Sequence, residues 1–421
     1  MNTLKPRLML AVLAALALAH RAGAVALSYP LPVLPPEHKV MKDPITGAEL
    51  VFLSASPAKD HNLYFHQRSW LSDDSMVLFT SQRADGGLMG YLSATGELVR
   101  LVTARGGLGS ATAAKSGNRV FAARGRDIIE LGLKVHASPD VSKYRSLVTA
   151  TERVICTLPP GANLGGYLSE NSDGTLLGLD LRWADGKQGV AVADIKTGHI
   201  RDVCRYDFAG HLQFSVTNPN LLSVAGLKER LMVIDLARGG EPRSIHRQAP
   251  GEWVTHECWW ISDSLTFCGG YRDKESDVKV VDVRTGEVRI VGAGAWVPWS
   301  ANGDDVLNRW NWWHAAGHES GRWVVADNWY GDVVIFDGRT TQLHRLTLGH
   351  RKYGGGVHPE PGWDRSGTRV VFNSQMLGGE HVCIATLPKT WPPDPATEGL
   401  IVTGGVEAST LPSNPSAAPG P

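Results

Sequence analysis

Residues 365–374, Arg-Ser-Gly-Thr-Arg-Val-Val-Phe-Asn-Ser, combine a tight polar turn with an apolar run that follows it. The same combination occurs seven times. Ser72-Asp73-Asp74 precedes MVLFT, Lys115-Ser116-Gly117 precedes RVFAA, and Ser172-Asp173-Gly174 precedes LLGLDL. Thr217-Asn218-Pro219 precedes LLSVAG, Ser262-Asp263-Ser264 precedes LTFCGG, and Glu319-Ser320-Gly321 precedes WVVAD. The third residues of successive turns stand 43 to 57 positions apart. Most units carry a second apolar run ending in its own turn, as in AVADIKTGHI and VKVVDVRTGEV. Each unit therefore reads as four strands. Four strands repeated at this period predict an all-β, seven-bladed β-propeller with antiparallel blades. The last unit lacks a fourth strand. Thr46 to Leu53 read as a turn and one strand placed before the first full unit, so an N-terminal strand is expected to complete the last blade and close the ring.

Composition agrees with this reading. In 421 residues, 42 Lys and Arg balance 42 Asp and Glu, which argues against a nucleic-acid partner. A hydrophobic content of 43% excludes a disordered chain. Lys5 and Arg7, the apolar run Leu8 to Ala19 and the small residues Ala22-Gly23-Ala24 form a secretory signal over 1–26. The propeller is expected over 27–395 and a disordered, Pro-, Ser- and Ala-rich tail over 396–421. The mature chain is expected to be periplasmic or secreted, monomeric and without a membrane span. The five cysteines are an odd count and too few for a disulfide scaffold.

The innermost strand of a blade precedes the repeated turn. Seven to nine residues before each turn's third residue stand His66, then Gly109-Ser110-Ala111, Tyr167, His211, His256, His314, and His358 with Glu360. Six of seven blades thus offer an imidazole or a phenol at one level, expected at a channel mouth, and convergent polar groups in a concave place define a candidate site. His256, His314 and His358 lie on successive blades and suit a divalent ion. With Cys268 they favour Zn; with Glu360 or water they suit Mn or Zn; His318 is a further candidate. His66, Tyr167, His211 and Arg182 form the other half, suited to an anionic substrate and proton transfer. Trp310-Asn311-Trp312-Trp313 reads equally as core or as a sugar-stacking surface.

The stretch His211-Leu212-Gln213-Phe214-Ser215 with Asn218-Pro219, followed by Thr255-His256-Glu257, resembles the oligogalacturonate lyases. The resemblance covers about residues 40–390 and extends in kind to the propeller ulvan lyases. It implies β-elimination on an acidic, uronate-containing oligosaccharide, with His211 as base. It implies a divalent ion at His256, His314 and His358, and Arg182 against the uronate carboxylate. Tyr167 and His66 correspond to residues that serve in the ulvan-type members. Arg182 or a metal would neutralise the carboxylate, His211 would take the α-proton, and Tyr167 or His66 would protonate the leaving oxygen. A different class, an exported propeller that binds sugar or scaffolds a complex without turnover, is the alternative. The lack of G-x-S-x-G argues against a serine peptidase.

Overall fold

A computed structural model describes residues 27–391 except 84–85, 104, 206, 209, 273, 296–309, 352–356 and 390. The expected leader and tail lie outside the described residues. Seven antiparallel sheets follow one another along the chain as the blades of a propeller. Their innermost strands are Asp60–Asn62, Gly109–Ala113, Ala162–Glu170, Gln213–Phe214, Glu252–Trp259, Trp312–Gly317 and Gly362–Trp363. A 3-10 turn, Leu236–Arg238, follows the third strand of the fourth blade. No helix among the described residues is long and apolar enough to cross a membrane.

Local chemistry sets the turns. In the DxxTG-type turns, Asp43 Oδ1 accepts from the backbone of Ile45 and Thr46 at 2.8 and 2.7 Å. Asp194 does the same for Lys196 and Thr197, and Asp282 for Arg284 and Thr285. The carboxylate fixes the turn before any tertiary contact forms. Strands two and three of most blades are covered on both faces, so they read as continuous apolar runs rather than alternating ones. Trp323–Asn328 and Val333–Asp337 are buried throughout.

The core is divided. Seven apolar clusters fill the seven gaps between adjacent blades, and none of them spans the whole ring. Between blades five and six, Trp260, Val278 and Cys268 face Trp312, Val324 and Phe336. Trp260 lies flat on Gly317, where a Cβ would stand 2.2 Å from the indole, and donates from Nε1 to His318 O at 2.7 Å. The gap between blades seven and one is filled like the others: Val371, Val382 and Ile384 face Trp70, Val77 and Phe79.

Four strands per blade is the expectation; three blades have five. The extra strands come from the N-terminal segment, which crosses three blades in turn. Leu27–Pro30 pairs with Leu147–Thr157 of the second blade, and Val33–Leu34 with Leu98–Arg100 of the first. Lys39–Lys42 and Glu49–Phe52 then form the two outer strands of the seventh, with Val51 opposite Ile384. This segment straps the outside of the ring across its closure. Removing residues 27–36 should expose the edges of blades one and two and lower the melting temperature modestly. Removing 27–53 should cost more, because the last blade also loses Leu50 and Phe52, both fully buried. Thermal melts followed by circular dichroism on the two truncations give this ranking.

Candidate active site

In an unbroken ladder, side chains alternate between the two faces, each packed on a neighbouring blade. At one level of this propeller the ladder breaks. Register shifts fall at Ser110, between Leu164 and Leu168, between Thr255 and Cys258, and between Trp312 and Ala315. In blade one the ladder stops at Asn62 and resumes at the bridge Trp70–Val77; in blade four it skips from Phe208 to Gln213. His211, His256 and Glu360 hold positive φ angles of 60°, 53° and 51°. Such angles are costly for residues with a Cβ, and bulges of this kind re-aim a side chain. The site residues therefore stand partway along the inner strands, inside the channel rather than at strand starts.

There the rings touch in sequence around the axis. Centroid separations are 4.6 Å for His66–Tyr167, 5.4 Å for His66–His211 and 5.9 Å for His211–His256. They are 4.1 Å for His256–His314 and 5.5 Å for His314–His358. The centre is filled by two residues that the spacing argument missed. Tyr64 stacks on Tyr167 at 5.2 Å and meets His211 and His314 edge-on. Phe65 packs beneath, against His66, His211, His256 and His314. Both lie in the segment where blade one leaves its ladder.

Two charged groups organise the ring. Glu257, whose side chain is fully buried, pairs with Arg230 Nε at 2.8 Å and lies 3.4 Å from His211 Nδ1. Burial would raise its pKa; the Arg230 guanidinium and His211 outweigh burial and hold the carboxyl at about 2. Arg230 Nη2 also lies 3.3 Å from His211 Nδ1, and the Tyr64 hydroxyl 3.4 Å from Nε2. On the other side Asp327 meets His314 Nδ1 at 2.9 Å and accepts from the backbone of Glu360 at 3.0 Å. Burial raises Asp327 to about 6 and Glu360 to about 8, and it pushes His66, His256 and His314 well below the ordinary histidine value, so these rings are neutral. His358, lowered to about 3 chiefly by burial, contacts Arg351 Nη1 at 3.4 Å.

One ligand atom each from His314, Asp327 and His358 lie within 4.8 Å of one another, with the His256 ring alongside. Neutral imidazoles and a carboxylate form a donor set that fits Mn or Zn. Cys268 is not part of it. Cys268 pairs with Thr255, before the bulge, and therefore points into the apolar gap between blades five and six; burial keeps its thiol protonated. Arg182 is not brought to the histidines either. It is exposed on the second strand of blade three, opposite Asn163 and above the bulge that carries Tyr167. His318 bonds Ser320 and lies near the opposite mouth. Of the tryptophan stretch, Trp312 is core, while Trp313 stacks on Trp253 and His358 beside the ring. All five cysteines are free.

No described protein family and no curated protein matches the sequence. Solved structures do match its fold, two oligogalacturonate lyases among them. One is an oligogalacturonate lyase in complex with manganese, 18% identical, with a TM-score of 0.66 over 87% of this chain and 99% of that one. Another is an oligogalacturonate lyase from Vibrio parahaemolyticus, 16% identical, with a TM-score of 0.66 over 88% of this chain and 100% of that one. At these identities the likeness is one of fold.

The Glu257 pair gives a test of its own. A carboxyl at about 2 when folded and 4.5 otherwise contributes roughly 3 kcal/mol of stability. That contribution is fully present above about 4.5 and is lost as pH falls towards 2. Glu257→Gln should therefore melt below the parent protein at neutral pH, and the difference should shrink through this acid window. Melting curves across pH measure both effects.

Proposed function

We propose that the chain is a polysaccharide lyase that cleaves a uronate-containing oligosaccharide by β-elimination. The observation that carries this reading is the setting of His211. Its Nδ1 lies 3.4 Å from the buried Glu257 carboxylate and 3.3 Å from Arg230 Nη2, and its Nε2 lies 3.4 Å from the Tyr64 hydroxyl; the base is the tautomer in which Glu257 keeps the proton on Nδ1 and leaves the Nε2 lone pair free. Arg230, in contact with the same imidazole, supplies the cation that faces the substrate carboxylate, the part the sequence assigned to Arg182. Neutralising that carboxylate makes the proton α to it removable, because charge developing on the carboxylate in the transition state is met in a low-dielectric place. His211 takes the proton, the electron pair forms the carbon–carbon double bond, and the bond to the leaving oxygen breaks. Tyr167, whose phenol burial holds protonated with a pKa of about 12, donates a proton to that oxygen, with His66 at its side. A divalent ion held by His314, Asp327 and His358 would supply Lewis acidity to the carboxylate.

The deciding experiment is incubation of the purified protein, with Mn or Zn, against a panel of uronate polymers while following ultraviolet absorbance of the unsaturated product. His211→Ala should lower kcat by about 10²–10⁴-fold with little change in KM. His358→Ala should reduce bound metal in elemental analysis. It should also remove the thermal stabilisation by added metal, which for the parent is about 2.7 kcal/mol at a hundredfold excess over Kd. Product from no polymer would leave a sugar-binding propeller without turnover.

A further inference from the structure

At the opposite mouth the channel ends in a pocket of about 130 Å³. Phe65 lines it and also packs against His211, His256 and His314, none of which reaches the pocket. This mouth is built from the repeated turns, and three of the seven begin with a charged residue: Lys115, Glu319 and Arg365. Glu319 and Arg365 line the pocket, and Arg68 joins them from the segment where blade one leaves its ladder. Lys115 does not line it; its Nζ donates to Ser172 O and Val216 O at 3.2 and 3.1 Å.

The two guanidiniums are only partly used. Arg365 donates from its backbone to Asp74 Oδ1 at 3.1 Å and from Nη2 to Ala114 O at 2.7 Å, so its side chain runs from blade seven past blade one to blade two. Arg68 reaches Glu170 from Nη1 at 3.4 Å, a long contact to a carboxylate that Arg119 Nη2 meets at 3.1 Å. Their other guanidinium nitrogens meet no acceptor among the described residues. The Arg68 side chain is 22% exposed, so its free donors are open to the pocket. Glu319 is exposed and forms no hydrogen bond or ion pair among the described residues. Asp364, the other acid on the lining, is taken up by Arg369 Nε at 2.9 Å. Burial lowers the pKa of Arg68 and Arg365; Glu170 and Glu319 oppose this at both, and the Arg365 charge adds to it at Arg68. An anion between two such cations relieves their repulsion and accepts from the free N–H groups.

Charge selects the anion. Arg68 and Arg365 against Glu319 leave one positive charge at the pocket, which matches a carboxylate and not a phosphate dianion. The volume is well below the ~300–1,000 Å³ of sites that enclose whole drug-sized ligands, and Phe65 and Trp363 offer apolar wall to a short carbon body. We infer that the opposite mouth is a binding site for a small organic carboxylate, held by Arg68 and Arg365, with Glu319 as the charge that disfavours phosphate. Nothing in this site depends on turnover at the ring.

The test is calorimetric titration of the full chain with acetate and with inorganic phosphate, at constant ionic strength and about pH 8, where phosphate is a dianion. The parent should bind acetate, and phosphate more weakly. Arg365→Gln should weaken acetate binding by roughly 10-fold or more. Glu319→Gln has no contact to lose and should fold like the parent. It should bind acetate roughly 3-fold tighter and lose the preference over phosphate. Acetate held at Arg230 in the ring would be indifferent to both substitutions, so equal affinity in the parent and both variants overturns the site. A parent that binds neither anion, or prefers phosphate, overturns it too. If Arg365→Gln does not fold, Glu319→Gln decides alone.

Discussion

The site depends on the inner strands giving up their ladders at one common level. A propeller buries its strands by stacking blades face to face, and an intact strand would send every side chain into one of the seven apolar gaps. Only where the register slips can a side chain turn towards the axis. The slip forfeits ladder hydrogen bonds and places His211, His256 and Glu360 at positive φ. Continuous packing between blades, on both sides of each bulge, holds the backbone there. Strained residues of this kind persist only when their surroundings over-determine them. The same slip explains why the ring is dense: six blades send groups inward, and Tyr64 and Phe65 close the middle.

The residues of this ring are buried or half-buried, and the charges inside it are few and matched. Glu257 and Arg230 form one pair; Asp327 meets His314 and the Glu360 backbone; burial keeps His66, His256 and His358 neutral. In a low-dielectric place these contacts orient the rings more firmly than the same contacts would at the surface. His211 lies where the two halves meet, against Glu257 on one side and Tyr64 on the other. As the proposed base it would have its partners aligned before substrate arrives.

The repeat was readable in the sequence because its causes are local. Turn carboxylates and apolar runs act within ten residues, and seven copies fix the architecture. The histidines were readable because they keep one distance from those turns. What failed is what the bulges alter. Counting by twos along Glu252–Trp259 places Cys268 with His256, but the pairing that exists is Thr255–Cys268, and the bulge turns His256 to the other side. Arg182 was displaced in the same way by the shift after Leu164. Glu257, Arg230 and Asp327 carry no spacing signal at all; blades four and five bring Arg230 to Glu257, and blades six and seven bring Asp327 to the Glu360 backbone. Tyr64 and Phe65 sit in a segment that reads as strand, and only the missing ladder reveals them as the plug.

The N-terminal strap has a consequence for how the molecule is made. Val51 leaves the ribosome long before its partner Ile384. Until then the strand has no sheet to join, and the edge it will cover does not exist. Intermediate blades can assemble on their neighbours as synthesis proceeds, but the closing pair spans nearly the whole sequence, and contacts of such separation form slowly. During that interval a flat apolar strand and, later, an open blade edge are exposed to other chains. Lys39 and Lys42 begin and end the strand that pairs with the waiting one and place charge on that hairpin's outer edge, which discourages pairing with a stranger.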